Sequence, residues 1–533
     1  MKQAYFRLRP WIVQPSSILV LFRHRPLNDT CLLTMADIEV SNGPTEETPL
    51  CENQSKPHTT QTTADHLNYR DKNIIFSLLV YFFHQMYDFL PVTPFLLLFE
   101  RSICFRYYAI HDPAMIGPDG IVDEKYCKIE PVQHSLAVFR GWKPVFGAIP
   151  VFLLAIPYGR IADKYGKKRV ASLSLIGLTL GEIWTIFIVS WPSIFPIEVA
   201  WSQSLFSFIG GGDSQAASMI YLIGSDLVEE HQKSKLFYLM YCVYLGTELI
   251  GPIISAATMD ISPYIPIALT LASIMIALGI LQLIDERKPS RGRDHNPEQM
   301  FQPPESAVNH DSSIRTQAAP SSGATSRSDS LAMLLRQKNI LLILAVFLTP
   351  YLRPATMFIL QQYASVRFDW KISRTSLLTS EAAIVNIILF LFIIPQVTSM
   401  IRARFDVRQE TIDLSVAQIS LALLTGGSLL IGLSPNSNLM VASVAIFTAG
   451  FGVRVALIAS AASLADQTIR ARLFATLQIM ENIGMLSGFP LTQSMLATAL
   501  RIGPPWLGFP FLIISGIFGT ALVCTLFIHS GQG

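Results

Sequence analysis

Twelve stretches of this chain each run for roughly twenty residues or more with scarcely a charge, and nothing else limits the possible folds as much. They lie approximately at 74–99, 144–162, 170–191, 197–223, 236–258, 264–284, 339–362, 377–400, 413–433, 438–462, 473–499 and 507–529. Crossing the ~30 Å hydrocarbon core takes about 20 apolar helical residues, and soluble-protein strands are far shorter. The runs therefore read as membrane helices, spans 1 to 12. Many carry Gly or Pro, which a membrane helix tolerates when its neighbours re-satisfy the backbone. Only 15% of residues are charged, against roughly 25% in soluble proteins, and most of those charges fall between runs. A soluble multidomain enzyme is excluded. The 40 Lys+Arg and 38 Asp+Glu leave a net charge of +2, which rules out nucleic-acid binding driven by bulk charge.

The polar segments divide the chain. Residues 1–72 form an amino-terminal tail expected to be largely disordered, and 73–285 a six-helix bundle with an outer loop at 100–143. A Pro/Ser/Arg-rich linker at 286–337, also expected to be disordered, leads to a second six-helix bundle at 338–529 and a short tail at 530–533. Arg7, Arg9, Arg23 and Arg25 precede the first acid, Asp29. Residues 1–34 can therefore be a leader, a mitochondrial-type presequence or a dispensable extension ahead of Met35. With the amino terminus cytoplasmic, inner connections carry 20 Lys/Arg and outer ones 10. The positive-inside rule then places both termini in the cytoplasm. Cys104 and Cys127 share the outer loop, where they can form a disulfide or remain two free thiols. Cys31 and Cys51 should stay reduced, and the sequons at Asn28 and Asn53 fall on the cytoplasmic side.

The two halves echo one another. Gly210, Gly212 and Asp226 recur 240 residues later as Gly450, Gly452 and Asp466, and Leu236, Phe237 and Gly251 recur 237 residues later as Leu473, Phe474 and Gly488. Six matches in order, at equivalent places in the spans, point to related halves. Parallel six-span repeats enclosing a midplane site are a transporter plan.

The connection after span 2 reads GRIADKYGKKR. It resembles the signature of the major facilitator superfamily, matched at Gly159, Asp163, Lys164, Gly166, Lys167 and Lys168 and placed in the same connection. The resemblance implies an all-α fold of twelve transmembrane helices in two pseudo-symmetric six-helix bundles. It also implies a gating role, in which Asp163 interacts with the partner half and helps hold the outward-facing state. The corresponding loop of the second half keeps Arg402, Arg404 and Arg408 but lacks the glycines. Gly246 to Pro252 looks like part of a glycine-proline antiporter motif without its flanking glycines. Phe99 to Tyr108 and Leu360 to Trp370 resemble a fungal branch distantly similar to proton-coupled folate-type and tetracycline-type carriers.

A charge at the bilayer centre costs about 2.5–3.5 kcal/mol on insertion scales, so ionisable residues inside spans suggest function. They are Asp88, Glu182, Asp213, Glu248, Arg353, Glu381, Arg454 and Glu481. In the family that the signature resembles, spans 1, 4, 7 and 10 line the cavity, and Asp88, Asp213, Arg353 and Arg454 lie on these four. The expectation is that they face one another as a substrate and proton cavity, with the arginines holding an anion and the acids exchanging protons. His84 can join a proton relay or simply pack, Gln362 can face the cavity, and the four glutamates read as polar packing. Pro350 and Pro354 should weaken the helix around Arg353.

No Walker A, H-E-x-x-H or C-x-x-C pattern occurs, so no cofactor, metal or ATP-driven step is expected. GGGD at Gly210 to Asp213 has no preceding strand and reads as a close helix approach. The expected protein is not an enzyme but a monomeric secondary transporter of a small organic solute, with an organic anion as one option, working by alternating access and coupled to protons. Its partners are that substrate, protons and the bilayer of the plasma or vacuolar membrane. An efflux antiporter with a mostly apolar substrate, a non-transporting sensor and an intramembrane enzyme are the rivals.

Overall fold

The computed structural model describes residues 72–285, 338–394, 396–397, 400, 409–464 and 467–527. The tail with Cys31, Cys51, Asn28 and Asn53, the linker, Arg402, Arg404, Arg408, Asp466 and residues 530–533 lie outside the described residues. Among the described residues the chain is helical without a strand. Nine helical segments are long and apolar enough to cross a membrane. Spans 4, 7 and 11 complete the set. Span 11, Gln467–Ile502, carries four charged residues, and the other two are interrupted.

The interruptions follow from the residues at them. Span 1 runs as Lys72–Phe89 and Val92–His111, broken where Pro91 supplies no N–H. Span 4 is a 3-10 helix, Ile197–Phe208, joined to the helix Asp213–Leu227 through Gly210, Gly211 and Gly212, all at positive φ. Span 7 divides into Lys338–Val346 and Leu352–Phe368 around Pro350. Span 10 divides into Ser437–Ala449 and Val453–Leu464 through the 3-10 turn Gly450–Gly452. Spans 4 and 10 thus break at the repeat-related glycines, and Asp213 and Arg454 are the first and second residues of the helices that follow.

One boundary differs in a way that matters. The apolar count starts span 2 at residue 144, but the helix is Glu130–Tyr165. Glu130 and Pro131 make a favourable first turn, the acid facing the helix dipole and the proline lacking an N–H that would go unused. An apolar window cannot register a helix that begins on polar residues. The outer loop is consequently short, residues 112–129, and Arg140 and Lys143 lie inside span 2.

Each half has its own core. Leu175, Ile220, Leu236 and Ile274 are buried in the first, and Leu421, Phe447, Phe511 and Phe518 in the second. The halves meet where span 2 packs on span 11 and span 5 (Lys233–Met259) on span 8 (Ile372–Ile393). One end of the bundle carries the 112–129 loop and is called the loop end; the other carries Gly159–Lys168 and is called the signature end. At the loop end Cys104 and Cys127 are joined, with their Cα atoms 5.5 Å apart, and both are buried. Closing a segment of sequence separation 23 is worth about 3 kcal/mol in the chain-entropy account. Cys104→Ser with Cys127→Ser is therefore expected to lower the Tm of the purified protein. A maleimide should label these two cysteines only after reduction and unfolding, and labelling before reduction would show that they are not bridged.

Candidate functional site

The break in span 1 and the glycine turn in span 4 bring three titratable side chains together. His84 and Asp88 are one helical turn apart, and Asp213 is the first residue after the turn. Their ligand atoms all lie within 4.8 Å of one another. His84 Nε2 is 3.1 Å from Asp213 Oδ1, and its Nδ1 is 3.1 Å from Gln85 Oε1. His84 is fully buried, whereas the Asp213 side chain is 46% exposed. One imidazole and two carboxylates at this spacing act on one another electrostatically.

Asp88 also lines a cavity of ≈ 200 Å³ with Tyr87, Phe95, Phe99, Gln203 and Phe358. The same cavity holds Arg140, Lys143 and Glu182. Arg140 and Lys143 escape a sequence reading because they precede the apolar run. The useful signal was the Glu130–Pro131 helix start.

The four expected cavity charges do not converge. Arg454 makes a forked pair with Glu481 of its own half: its Nε donates to Oε1, and its Nη2 donates to Oε2 at 3.0 Å. Arg353 has its guanidinium carbon 4.9 Å from the centre of the Phe451 ring and lies in the field of Glu248, across the interface. Glu248 in turn lies beside the Asn386 side chain. Asp88 and Asp213 sit with His84 instead. Repeat symmetry places Asp213 and Arg454 at matching breaks, but it does not make them partners.

Gln362 is buried at the loop end rather than in the cavity. Its Nε2 donates to the Gln133 carbonyl at 2.9 Å and to Gln133 Oε1 at 3.0 Å, and Arg140 Nη1 donates to its Oε1 at 3.4 Å. Arg140 Nη2 donates to the Phe358 carbonyl at 3.1 Å while the guanidinium stacks on the Phe358 ring. Gln133 Nε2 donates to Glu100 and to the Cys127 carbonyl. Glu100 is held by Lys128 at 2.8 Å, and Lys128 also reaches Glu124 at 3.0 Å. Glu124 accepts the Ile372 N–H of the second half at 2.9 Å. This chain of charge-assisted bonds ties the halves together and draws the disulfide loop into the tie.

At the signature end Gly166, at φ 100°, separates span 2 from span 3 (Lys167–Ser190), and Gly159 is buried. Lys167 pairs with Asp226 at 2.6 Å, and Lys168 donates to the Gln282 and Ile284 carbonyls. The cations thus fasten spans 4 and 6 of their own half. Lys164 lies over the Tyr165 ring, and Asp163 is exposed and makes no ion pair among the described residues.

Two six-span halves with broken helices and buried charges at the site between them follow a known transporter plan. The chain belongs to the Major Facilitator Superfamily, whose profile matches residues 141–488. It is similar to the MFS efflux pump atnC of Emericella nidulans, at 26% identity over 80% of this chain and 81% of that protein. It is also similar to the efflux pump ustT of Aspergillus flavus, at 28% identity over 77% and 79%. Among solved structures, the nucleoside transporter NupG matches with a TM-score of 0.55 at 12% identity, over 86% of this chain and all of that one. A POT family transporter matches with a TM-score of 0.53 at 16% identity, over 85% and 95%. The protein is thus a multi-pass membrane transporter of small molecules.

Proposed function

We propose that the protein exports a small organic solute in exchange for protons, with both termini and the signature end in the cytoplasm. The observation that carries this reading is the His84–Asp88–Asp213 cluster, which couples two broken spans to the cavity through shared protons. Protonating one member changes the charge felt by the other two, and through Asp88 it changes the cavity wall. Transfer of a proton from one end to the other can then reset the site's affinity for cargo. The names of the relatives atnC and ustT favour export over uptake. The excess of Lys and Arg in the connections at the signature end supports the orientation.

The test is flux in proteoliposomes carrying an imposed pH gradient. A pH-sensitive dye is trapped inside, and phenylalanine, benzoate and a rhodamine dye are the probes. At least one probe should move with the gradient and carry protons in the opposite direction. Asp213→Asn and His84→Gln, which keep side-chain volume nearly constant, should each lower gradient-driven flux by about tenfold or more, in the range of lost proton-transfer groups. Gradient-independent flux, or wild-type pH dependence in both variants, overturns the reading.

A further inference from the structure

We propose that the cavity between spans 1, 2, 3 and 4 receives the zwitterionic head of its cargo, an α-amino-acid-like group carrying an ammonium and a carboxylate. This assignment rests on the export reading and names its substrate class. Three side chains provide the recognition: Lys143 on span 2, Glu182 on span 3 and Asp88 on span 1. Arg140, the remaining cation of the cavity, is occupied by Gln362 and the Phe358 carbonyl.

A closed structural ion pair is the simplest competitor, and this protein shows what one looks like. Arg454 and Glu481 meet through two hydrogen bonds on matched atoms. Lys143 and Glu182 feel each other's field without such closure. Glu182 is 3% exposed, yet its Oε1 is buried with no hydrogen-bond partner. An orphaned carboxylate oxygen on a residue that lines a cavity is costly unless its charge is compensated. A ligand ammonium between Glu182 and Asp88 compensates that carboxylate, while a ligand carboxylate gives Lys143 the direct contact that Glu182 does not make.

The walls set the remainder. Tyr87, Phe95 and Phe358 present aromatic surface, so the group attached to the head is apolar or aromatic. A volume of ≈ 200 Å³ is below the roughly 300–1,000 Å³ of pockets for drug-sized ligands. It accommodates a single amino-acid-like unit, and a larger cargo would extend beyond it.

The experiment measures thermal stabilisation of the full chain in lipid nanodiscs at one pH, with no gradient. Three probes share a phenyl group and differ in charge: L-phenylalanine, phenethylamine and 3-phenylpropionate. Phenylalanine should stabilise at a concentration at least tenfold lower than either singly charged probe. Lys143→Met and the isosteric Glu182→Gln should each raise that concentration about tenfold or more, with Glu182→Gln keeping the unliganded Tm. Equal or better stabilisation by phenethylamine or 3-phenylpropionate, or no stabilisation by any probe, overturns the assignment and leaves export to be judged by the gradient flux. Preference for phenylalanine without gradient-driven flux would instead uphold the head-group site and overturn proton-coupled export.

Discussion

Gly210→Val abolishes recovery of folded protein. Gly210 has φ 91°, a region that a β-branched residue does not tolerate, so strain alone costs about 1–3 kcal/mol. A Cβ at this position would stand 2.1 Å from the Ser174 nitrogen and 2.3 Å from its Cα. Those atoms are the backbone of span 3, so no side-chain rotation relieves the clash. Separating spans 3 and 4 would break the bond from Ser174 Oγ to the Gly210 carbonyl at 2.6 Å. Shifting the Gly210 turn would also disturb the bond from its N–H to the Tyr158 hydroxyl of span 2 at 2.9 Å. Together these effects place the loss beyond about 4 kcal/mol, among the largest that single substitutions cause and close to the lower end of the ~5–15 kcal/mol that holds a folded protein. Gly246→Ala is the control, since an added Cβ there meets nothing within 4 Å. It should leave Tm within a few degrees of wild type. The measurement is the monodisperse fraction on size exclusion in detergent, and a normal peak with normal Tm for Gly210→Val would refute this account of the turn.

The same glycine shows how far the sequence could be read. Its recurrence 240 residues later as Gly450 marked related halves and a close helix approach, because a glycine needed for close approach leaves a visible residue type, but the breaks of spans 4 and 10 at these glycines appear only in the structure. Pro350 marked the break in span 7 for a similar reason, a missing N–H. The expected partners of the charges failed on rotational phase. A repeat offset places Arg454 at the depth of Asp213, but only the packed helix shows it turned towards Glu481, 27 residues along its own half. Arg140 and Lys143 were hidden by a different limit. Long cationic side chains can lie within a helix whose polar start makes it look like a loop. His84 was legible as a buried imidazole one turn from Asp88. Its contact with Asp213 depended on the span 4 turn, which no periodicity describes.

Gln362→Ala should release the loop end. The tie at this end runs through Gln362 of the second half, which spends two donated bonds on Gln133 and receives one from Arg140; the bonds to the Phe358 carbonyl, the Ile372 N–H and Ser373 are kept in the variant. Net values of about 0.5–1.5 kcal/mol per buried bond put the loss at roughly 2–3 kcal/mol. Unlike a core truncation, that loss would fall on one conformation only if the protein works by alternating access, since opening the loop end to water would break these bonds. The closed-to-open ratio should therefore fall roughly 30- to 150-fold. Glu130 and Arg501 report on it, since they face each other across spans 2 and 11 at 3.9 Å and are exposed. In a Glu130→Cys/Arg501→Cys background, cross-linking by a short bifunctional reagent should be efficient with Gln362 present and at least tenfold slower with Gln362→Ala. Glu100→Gln should act in the same direction but more weakly: it keeps an acceptor for Gln133 and removes only the charge that holds Lys128, which still has Glu124. Unchanged cross-linking in both variants would mean that apolar packing of spans 2 and 11 closes this end and that the polar chain merely lies across a closure made without it.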